Sequence, residues 1–400
     1  MLLQLYKSKA FVNCVVLLGI IVYMYKTYTR RAEVFGIGTT HESANTTNCY
    51  QFGQDLDMVQ GCEDIHVDPR SGLAYLACGN LKARTRWILP GTPYNTDFEQ
   101  YKDHVVVIDE QNRIRALDVL ERTQSGALVP FAQDLRLHGF DIFFDDLEPG
   151  LLTFMFVNHQ RTGNVISIFS HRLGTTQLVH EETVSSPLLP SPNDVVAMSH
   201  TTFYATNDVR HTKGGRLRSV EEFFGMPWGH LVYRGPEGMF SIAAESLSYP
   251  NGITKSADGS LIYVACSSEP GVRTFRPNSD GSLEYLGGIV FKGLIPDNLF
   301  VDAPTGHIYV AGYLNTMEMF RYNRESIHGT TARPAAGVYR LKIRNDPRQG
   351  FICENVMVDG GDLLPTTTVS AVQRRGGVTR MLLGSVMSKG LAICDHGRNL

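Results

Sequence analysis

Short acid and amide clusters carry the chemistry open to this sequence: Glu63-Asp64, Asn193-Asp194, Asn207-Asp208, Asn251-Gly252 and Asp297-Asn298. Singly, each reads as a turn, because Asn and Asp side chains bond their own backbone and tolerate positive φ. Brought to one point, their oxygens would make a hard-cation site, and calcium takes about 6 to 8 such ligands. Zinc and copper favour nitrogen and sulfur, and no Cys/His ligand spacing accompanies these clusters. Two histidines lie between the first two clusters, His138 in Leu137-His138-Gly139-Phe140 and His159 in Val157-Asn158-His159-Gln160. Each alone reads as a structural histidine, but their positions before and at the end of one strand let both reach a single channel mouth. The sequence has no G-x-S-x-G elbow, P-loop or dinucleotide fingerprint, which argues against a serine hydrolase or a nucleotide enzyme.

The elements that must position these groups are short strands. A phrase of a D-x-x-x-G-like turn followed by a β-rich run recurs at Asp68 to Gly79, Asp258 to Ser267 and Asp302 to Gly312. Weaker copies of the strand lie at Leu152 to Asn158, Thr202 to Asn207 and Thr379 to Ser385. Spacings of roughly 45–80 residues suit the blades of a propeller with insertions. The spacing and the content of 38 Gly, 17 Tyr and 20 Phe predict an all-β, six-bladed β-propeller. Leu217 to Phe224 reads as an inserted helix, either a lid over the channel or a packing helix. A formal net charge of -3 with 19% charged residues leaves no basic stripe for a phosphate backbone, so nucleic acid is excluded as a partner.

Ala10 to Tyr25 is a nearly unbroken apolar run flanked by Lys7, Lys9, Lys26, Arg30 and Arg31. It predicts an uncleaved signal anchor, with a cleaved signal peptide as the alternative. The organisation expected is therefore an anchor over residues 1–31, a stalk over 32–48 and a propeller over 49–396. Asn45-Thr46-Thr47 is a glycosylation sequon in the stalk. Of the seven cysteines, Cys14 lies in the apolar run, while Cys49 and Cys394 bracket the globular part. A bridge between those two would lock the ring in an oxidising compartment; two unrelated buried thiols are the alternative. For most of Cys62, Cys78, Cys266 and Cys353, buried free thiols are expected. The propeller is expected in the secretory lumen or outside the cell, held at the membrane, or secreted if the run is cleaved.

At these residues the sequence resembles the serum paraoxonase and arylesterase family, over roughly Cys49 to Cys394. The resemblance rests on Glu63-Asp64, Leu137-His138-Gly139, Val157-Asn158-His159, Pro192-Asn193-Asp194, Tyr204 to Asp208, Pro250-Asn251-Gly252-Ile253 and Pro296-Asp297-Asn298, in that order. Leu217 to Tyr233 resembles the family's lid region. The resemblance implies a propeller with two calcium ions in its tunnel. A catalytic ion would be held by Glu63, Asn193, Asn251, Asp297 and Asn298, and a structural ion by Asp64, Asp194 and the Phe140 carbonyl. It further implies His138 as general base assisted by His159, a Cys49–Cys394 disulfide, and hydrolysis of small lactones and aryl esters. Ala83 to Asp103 departs from the family in length and polarity, and the substrate-lining positions do not carry over. Two other functions compete: a non-catalytic calcium-stabilised propeller used for binding or adhesion, and a sugar-lactonase type of propeller.

Overall fold

The computed structural model describes residues 9–88, 102–212, 215–325, 328–375 and 378–396 of the 400-residue chain. Its strands form six sheets whose innermost strands follow one another around a ring in chain order, the last packing against the first. Blade one starts with Cys62–Val67 and Ala74–Cys78, blade two with Leu137–Phe144 and Leu151–Gln160, and blade three with Pro192–Ala197 and Phe203–Asn207. Blade four starts with Pro250–Lys255 and Ile262–Cys266, and blade five with Ile295–Asp302 and His307–Tyr313. Blade six starts with Thr367–Arg375 and Val378–Ser385. Each repeated phrase of the sequence thus supplies the second strand of its blade. These second strands read as apolar runs because neighbouring blades cover both faces; Ala74–Cys78, Phe203–Asn207 and Ile262–Cys266 are buried at every position. The outermost strands are half wet, as in Phe351–Asp359, which has a run of exposed residues. Blade two is widened to six strands by Asp118–Arg122 and Leu128–Pro130, the former pairing in parallel with Gln177–Val184.

The ring closes through its ends. Cys49–Phe52 pairs antiparallel with Leu391–Asp395 as the outer strand of blade six, Cys49 opposite Cys394, and the two are disulfide-bonded. With a sequence separation of 345, that crosslink stabilises by about 6 kcal/mol in the chain-entropy model.

The other cysteines correct the sequence reading. Cys62 and Cys78 face each other across the first hairpin and form a second disulfide, so they are not free thiols. Their pairing follows from hairpin register, which no short Cys motif encodes. Cys266 is a buried free thiol, as expected, but Cys353 is free and exposed because it sits on an outermost strand.

The described residues include four α-helices, α1 (Lys9–Val34) ahead of the strands and α2 (Leu81–Arg84), α3 (Arg216–Phe224) and α4 (Thr316–Glu325) between them. Three of them lie between the second and third strands of their blades, α2 in blade one, α3 in blade three and α4 in blade five. That connection leaves each blade where the innermost strand begins, because the first two strands run antiparallel. These three helices therefore share one end of the tunnel. α1 is long and apolar enough to cross a membrane, and none of its apolar window is buried against the protein.

Candidate active site at the tunnel mouth

All six innermost strands carry a register shift near their first residues. The shifts fall between Cys62 and Asp64, Leu137 and Phe140, Pro192 and Val195, Pro250 and Ile253, Pro296 and Leu299, and Thr367 and Val369. A bulge re-aims the side chain it carries. The residues so re-aimed include Glu63, His138, Asn193, Asn251, Asp297 and Asn298, the groups singled out by type in the sequence. The bulge of blade six adds Thr368, whose hydroxyl donates to the Glu63 carbonyl at 2.7 Å.

These groups meet at one cavity of about 300 Å³, lined by Glu63, His138, Asn193, Asn251, Asp297 and Thr368 among others. Asn298 joins them from beneath, its amide donating to Glu63 Oε1 at 2.6 Å. Glu63 Oε2 and the side-chain oxygens of Asn193, Asn251 and Asn298 are buried and accept no hydrogen bond. Four unsatisfied oxygens at one site are costly, about 1–3 kcal/mol each, unless a cation or water takes them up. The carboxylates agree: burial, then Asp64 and Asp297, push the Glu63 carboxyl well above its usual range. Burial likewise pushes Asp297 up to about 7, although Tyr313 donates to it at 2.5 Å. Among the described residues no three His, Cys, Asp or Glu side chains form a metal centre by themselves. Three of the five expected oxygens are Asn amides, which fits calcium.

Asp64, Asp194 and Phe140 come together just below. The Phe140 N–H donates to Asp64 Oδ2 at 3.1 Å, and Asp194 Oδ2 accepts the Ile253 N–H at 2.8 Å. Gly139 allows this approach, since a Cβ there would stand 2.2 Å from Asp194 Oδ1. Burial and Asp64 hold the Asp194 carboxyl well above its normal value. A charged chain unseen in the sequence continues from Asp64: His66 lies 3.3 Å from Asp64 and 3.4 Å from Asp141, and Lys255 pairs with Asp141 at 2.9 Å.

The two imidazoles form a directed relay. The Asn164 amide nitrogen donates to the Pro190 carbonyl at 2.8 Å, so its oxygen faces His159 Nδ1, also at 2.8 Å, as acceptor. His159 must then carry its proton on Nδ1 and offer the Nε2 lone pair to His138 Nδ1, 3.1 Å away. His138 in turn carries its proton on Nδ1, which leaves Nε2 unprotonated, 3.9 Å from Glu63 Oε1. Burial keeps both rings neutral, depressing His138 well below the ordinary imidazole value and His159 to about 3. Trp87 packs on both rings at 5.3 and 5.1 Å. The bulge bearing His138 is clamped at Leu137, whose carbonyl accepts from Arg84 at 3.0 Å and whose N–H donates to Asp103 at 2.8 Å.

Sequence reasoning missed Asn164, Trp87, Arg84, Asp103 and Thr368, which carry no motif. The Ala83 to Asp103 departure falls partly on 89–101, outside the described residues. Asn207, grouped with the ligand-like clusters, instead ties loops: its oxygen accepts the Ser191 N–H and its amide donates to Leu188. Asp208 stays near the site through Asn193, whose amide donates to it at 3.4 Å.

The fold is a six-bladed propeller whose bulges aim carboxylate and amide oxygens and His138 into one mouth, with His159 behind His138. The arylesterase family model matches residues 106–395, and the chain belongs to that family. It is a hydrolase. Mouse serum paraoxonase/arylesterase 1 is 27% identical over 95% of this chain and 98% of its own. Human serum paraoxonase/lactonase 3 is 29% identical over 88% and 89% respectively. Among solved structures, the calcium-binding protein regucalcin of Agrobacterium tumefaciens covers 90% of this chain and 96% of its own, at 15% identity and a TM-score of 0.43.

Proposed function

We propose that this protein is a calcium-dependent hydrolase of lactones and aryl esters. The observation that carries the reading is the set of four orphaned, buried acceptor oxygens beside a neutral, tautomer-fixed imidazole pair. Glu63, Asn193, Asn251, Asp297 and Asn298 would hold a catalytic calcium. Asp64, Asp194 and the Phe140 carbonyl would hold a structural one. When bound, the catalytic ion supplies positive charge for the ester carbonyl and its developing oxyanion.

The chain's own residues do the rest. His138 Nε2 takes a proton from the attacking water, a role typically worth ~10²–10⁴-fold. His159 and Asn164 keep that nitrogen unprotonated, and Trp87 shields the relay from solvent. Phe35, Ile88, Phe223, Ile295, Met319 and Phe320 give the cavity an apolar wall suited to an alkyl or aryl group.

In this reading residues 1–31 anchor the chain, 32–48 link it and 49–396 form the enzyme, with the propeller in the secretory lumen or outside the cell. Both disulfides suit that compartment. Asn45 is exposed, and its amide donates to Val356 at 3.1 Å, leaving a second amide hydrogen position for a glycan.

The test is a panel of lactones and phenyl acetate, assayed with calcium and after exhaustive chelation. Turnover that vanishes on chelation and returns with calcium is expected. Full activity after chelation refutes the mechanism, and no turnover in calcium favours the non-catalytic propeller.

A further inference from the structure

We propose that the segment joining α1 to the propeller is a wall of the active site, in which Phe35 sets the size of apolar group admitted and Arg31 positions the helix α3. This rests on the reading of the cavity as an ester or lactone site. The first observation is one buried side chain at the end of an exposed helix. The apolar residues of α1 from Phe11 to Tyr28 are exposed, whereas Arg31 is 9% exposed. Its guanidinium donates to the Ser268 carbonyl at 2.5 Å and to the carbonyl of Phe224, the last residue of α3. A cation at a helix C-terminus meets unsatisfied carbonyls and the negative end of the dipole. The cap leaves room for it only as glycine: Gly225 has φ +64, and a Cβ there would stand 2.2 Å from Arg31 Nη2. The Ser268 hydroxyl donates to the Glu222 carbonyl at 2.9 Å, so Arg31 and Ser268 together fasten the end of α3 to blade four.

The second observation concerns α4. The Phe35 carbonyl accepts the N–H of Thr316, the first residue of α4, at 3.0 Å. The Asn315 amide donates to the Thr39 carbonyl at 3.0 Å while its oxygen caps Glu318 N–H at 3.1 Å. Gly36, with φ +59, lies so close that a Cβ would stand 2.0 Å from the Leu314 carbonyl. Residues 31–39 thus bind two of the three mouth helices, α3 and α4. Between them the Phe35 ring stands 5.6 Å from Phe223 and packs with Ile295, Tyr313, Met319 and Phe320. It lines the same cavity as Glu63, His138 and Asp297. Tyr313, in that cluster, donates to Asp297, so the wall is continuous with the ligand set.

The full-length chain in detergent micelles tests both roles. Phe35→Ala, assayed on lactones bearing methyl and octyl side chains, should shift the ratio of their kcat/KM values toward the octyl substrate by about tenfold, since a pocket discriminates one methylene by roughly 10–200-fold. Thermal shifts by the matching lactams, which are not hydrolysed, should move the same way. Arg31→Gln should raise KM with kcat retained and speed hydrogen exchange of amides 216–225 by at least tenfold, and Arg31→Lys should recover part of that protection. Unchanged exchange at 216–225 in Arg31→Gln overturns the positioning role. An unchanged lactam chain-length preference in Phe35→Ala overturns the wall. If the wild type hydrolyses neither lactone, the function reading fails, while the lactam and exchange measurements still decide these two roles.

Discussion

Replacing Asn164 tests the relay without touching either imidazole. In Asn164→Ala the acceptor for His159 Nδ1 is lost together with the donor to Pro190, each a 2.8 Å hydrogen bond. At about 1 kcal/mol apiece the stability cost is about 2 kcal/mol, so the protein should fold. The kinetic cost comes from the tautomer. Once His159 can carry its proton on Nε2, His138 can carry its own there and the base disappears from the cavity. Losing a fixed tautomer forfeits part of the ~10²–10⁴-fold that a general base supplies. A fall in kcat of about 10–100-fold, or about 1.4–2.8 kcal/mol, is expected with KM retained. Asn164→Asp separates orientation from charge. It keeps an acceptor facing Nδ1, but its negative charge favours the protonated imidazole, so the acid limb of the pH–rate profile should move to higher pH. The assay is steady-state hydrolysis of a lactone from pH 5 to 9, with thermal melts and calcium titration as controls for folding. Wild-type kcat in a folded, calcium-loaded Asn164→Ala would refute the relay. So would an Asn164→Asp profile displaced toward acid.

The remaining expectations are simpler. Burial holds the folded His159 pKa near 3 against the usual 6.5, so its contribution to stability is complete above pH 6.5 and is lost as pH falls toward 3. By pH 5 the loss is about 2 kcal/mol at ~1.36 kcal/mol per unit. His159→Asn should show a shallower decline in melting temperature between pH 6.5 and 5, and an unchanged slope counts against a neutral buried ring. Gly139→Ala should fail to fold or lose calcium, judged by circular dichroism and calorimetry, because its new methyl would overlap Asp194. In thiol labelling of the native protein Cys353 should react while Cys266, buried and with its thiol pushed up to about 12, resists until denaturant is added. Equal labelling would place Cys266 in an open site.

What was legible in the sequence follows the direction in which information runs along a strand. The second strands stood out because Ala74–Cys78 and Ile262–Cys266 are buried on both faces and cannot vary in polarity. Outer strands such as Phe351–Asp359 are half exposed, and their composition merges with that of loops. The acids and amides that line the mouth were picked out only as a set, since each of them alone reads as an ordinary turn residue. Their convergence was not legible. It depends on bulges, which are matters of register between strands far apart in sequence. The supporting residues were silent for the same reason. Asp103 and Arg84 matter because they clamp Leu137, and neither spacing nor composition marks them. The Cys62–Cys78 pair escaped notice because register alone sets those residues face to face.

The closure of the ring has a consequence for biosynthesis. Cys49–Phe52 is the outer strand of the last blade but is made before every other described strand, and its partner ends at Asp395. With a sequence separation of 345 between the bonded cysteines and synthesis at about 5–20 residues per second, the strand waits roughly 20–70 s before it can pair. Throughout that interval Cys49 is an unpaired thiol beside Cys62 and Cys78, which can join as soon as their own hairpin forms. Early oxidation of that hairpin removes the two nearest wrong partners. The small disulfide therefore guards the large one, and a chain lacking either Cys62 or Cys78 faces its main hazard during synthesis, before there is a ring to stabilise.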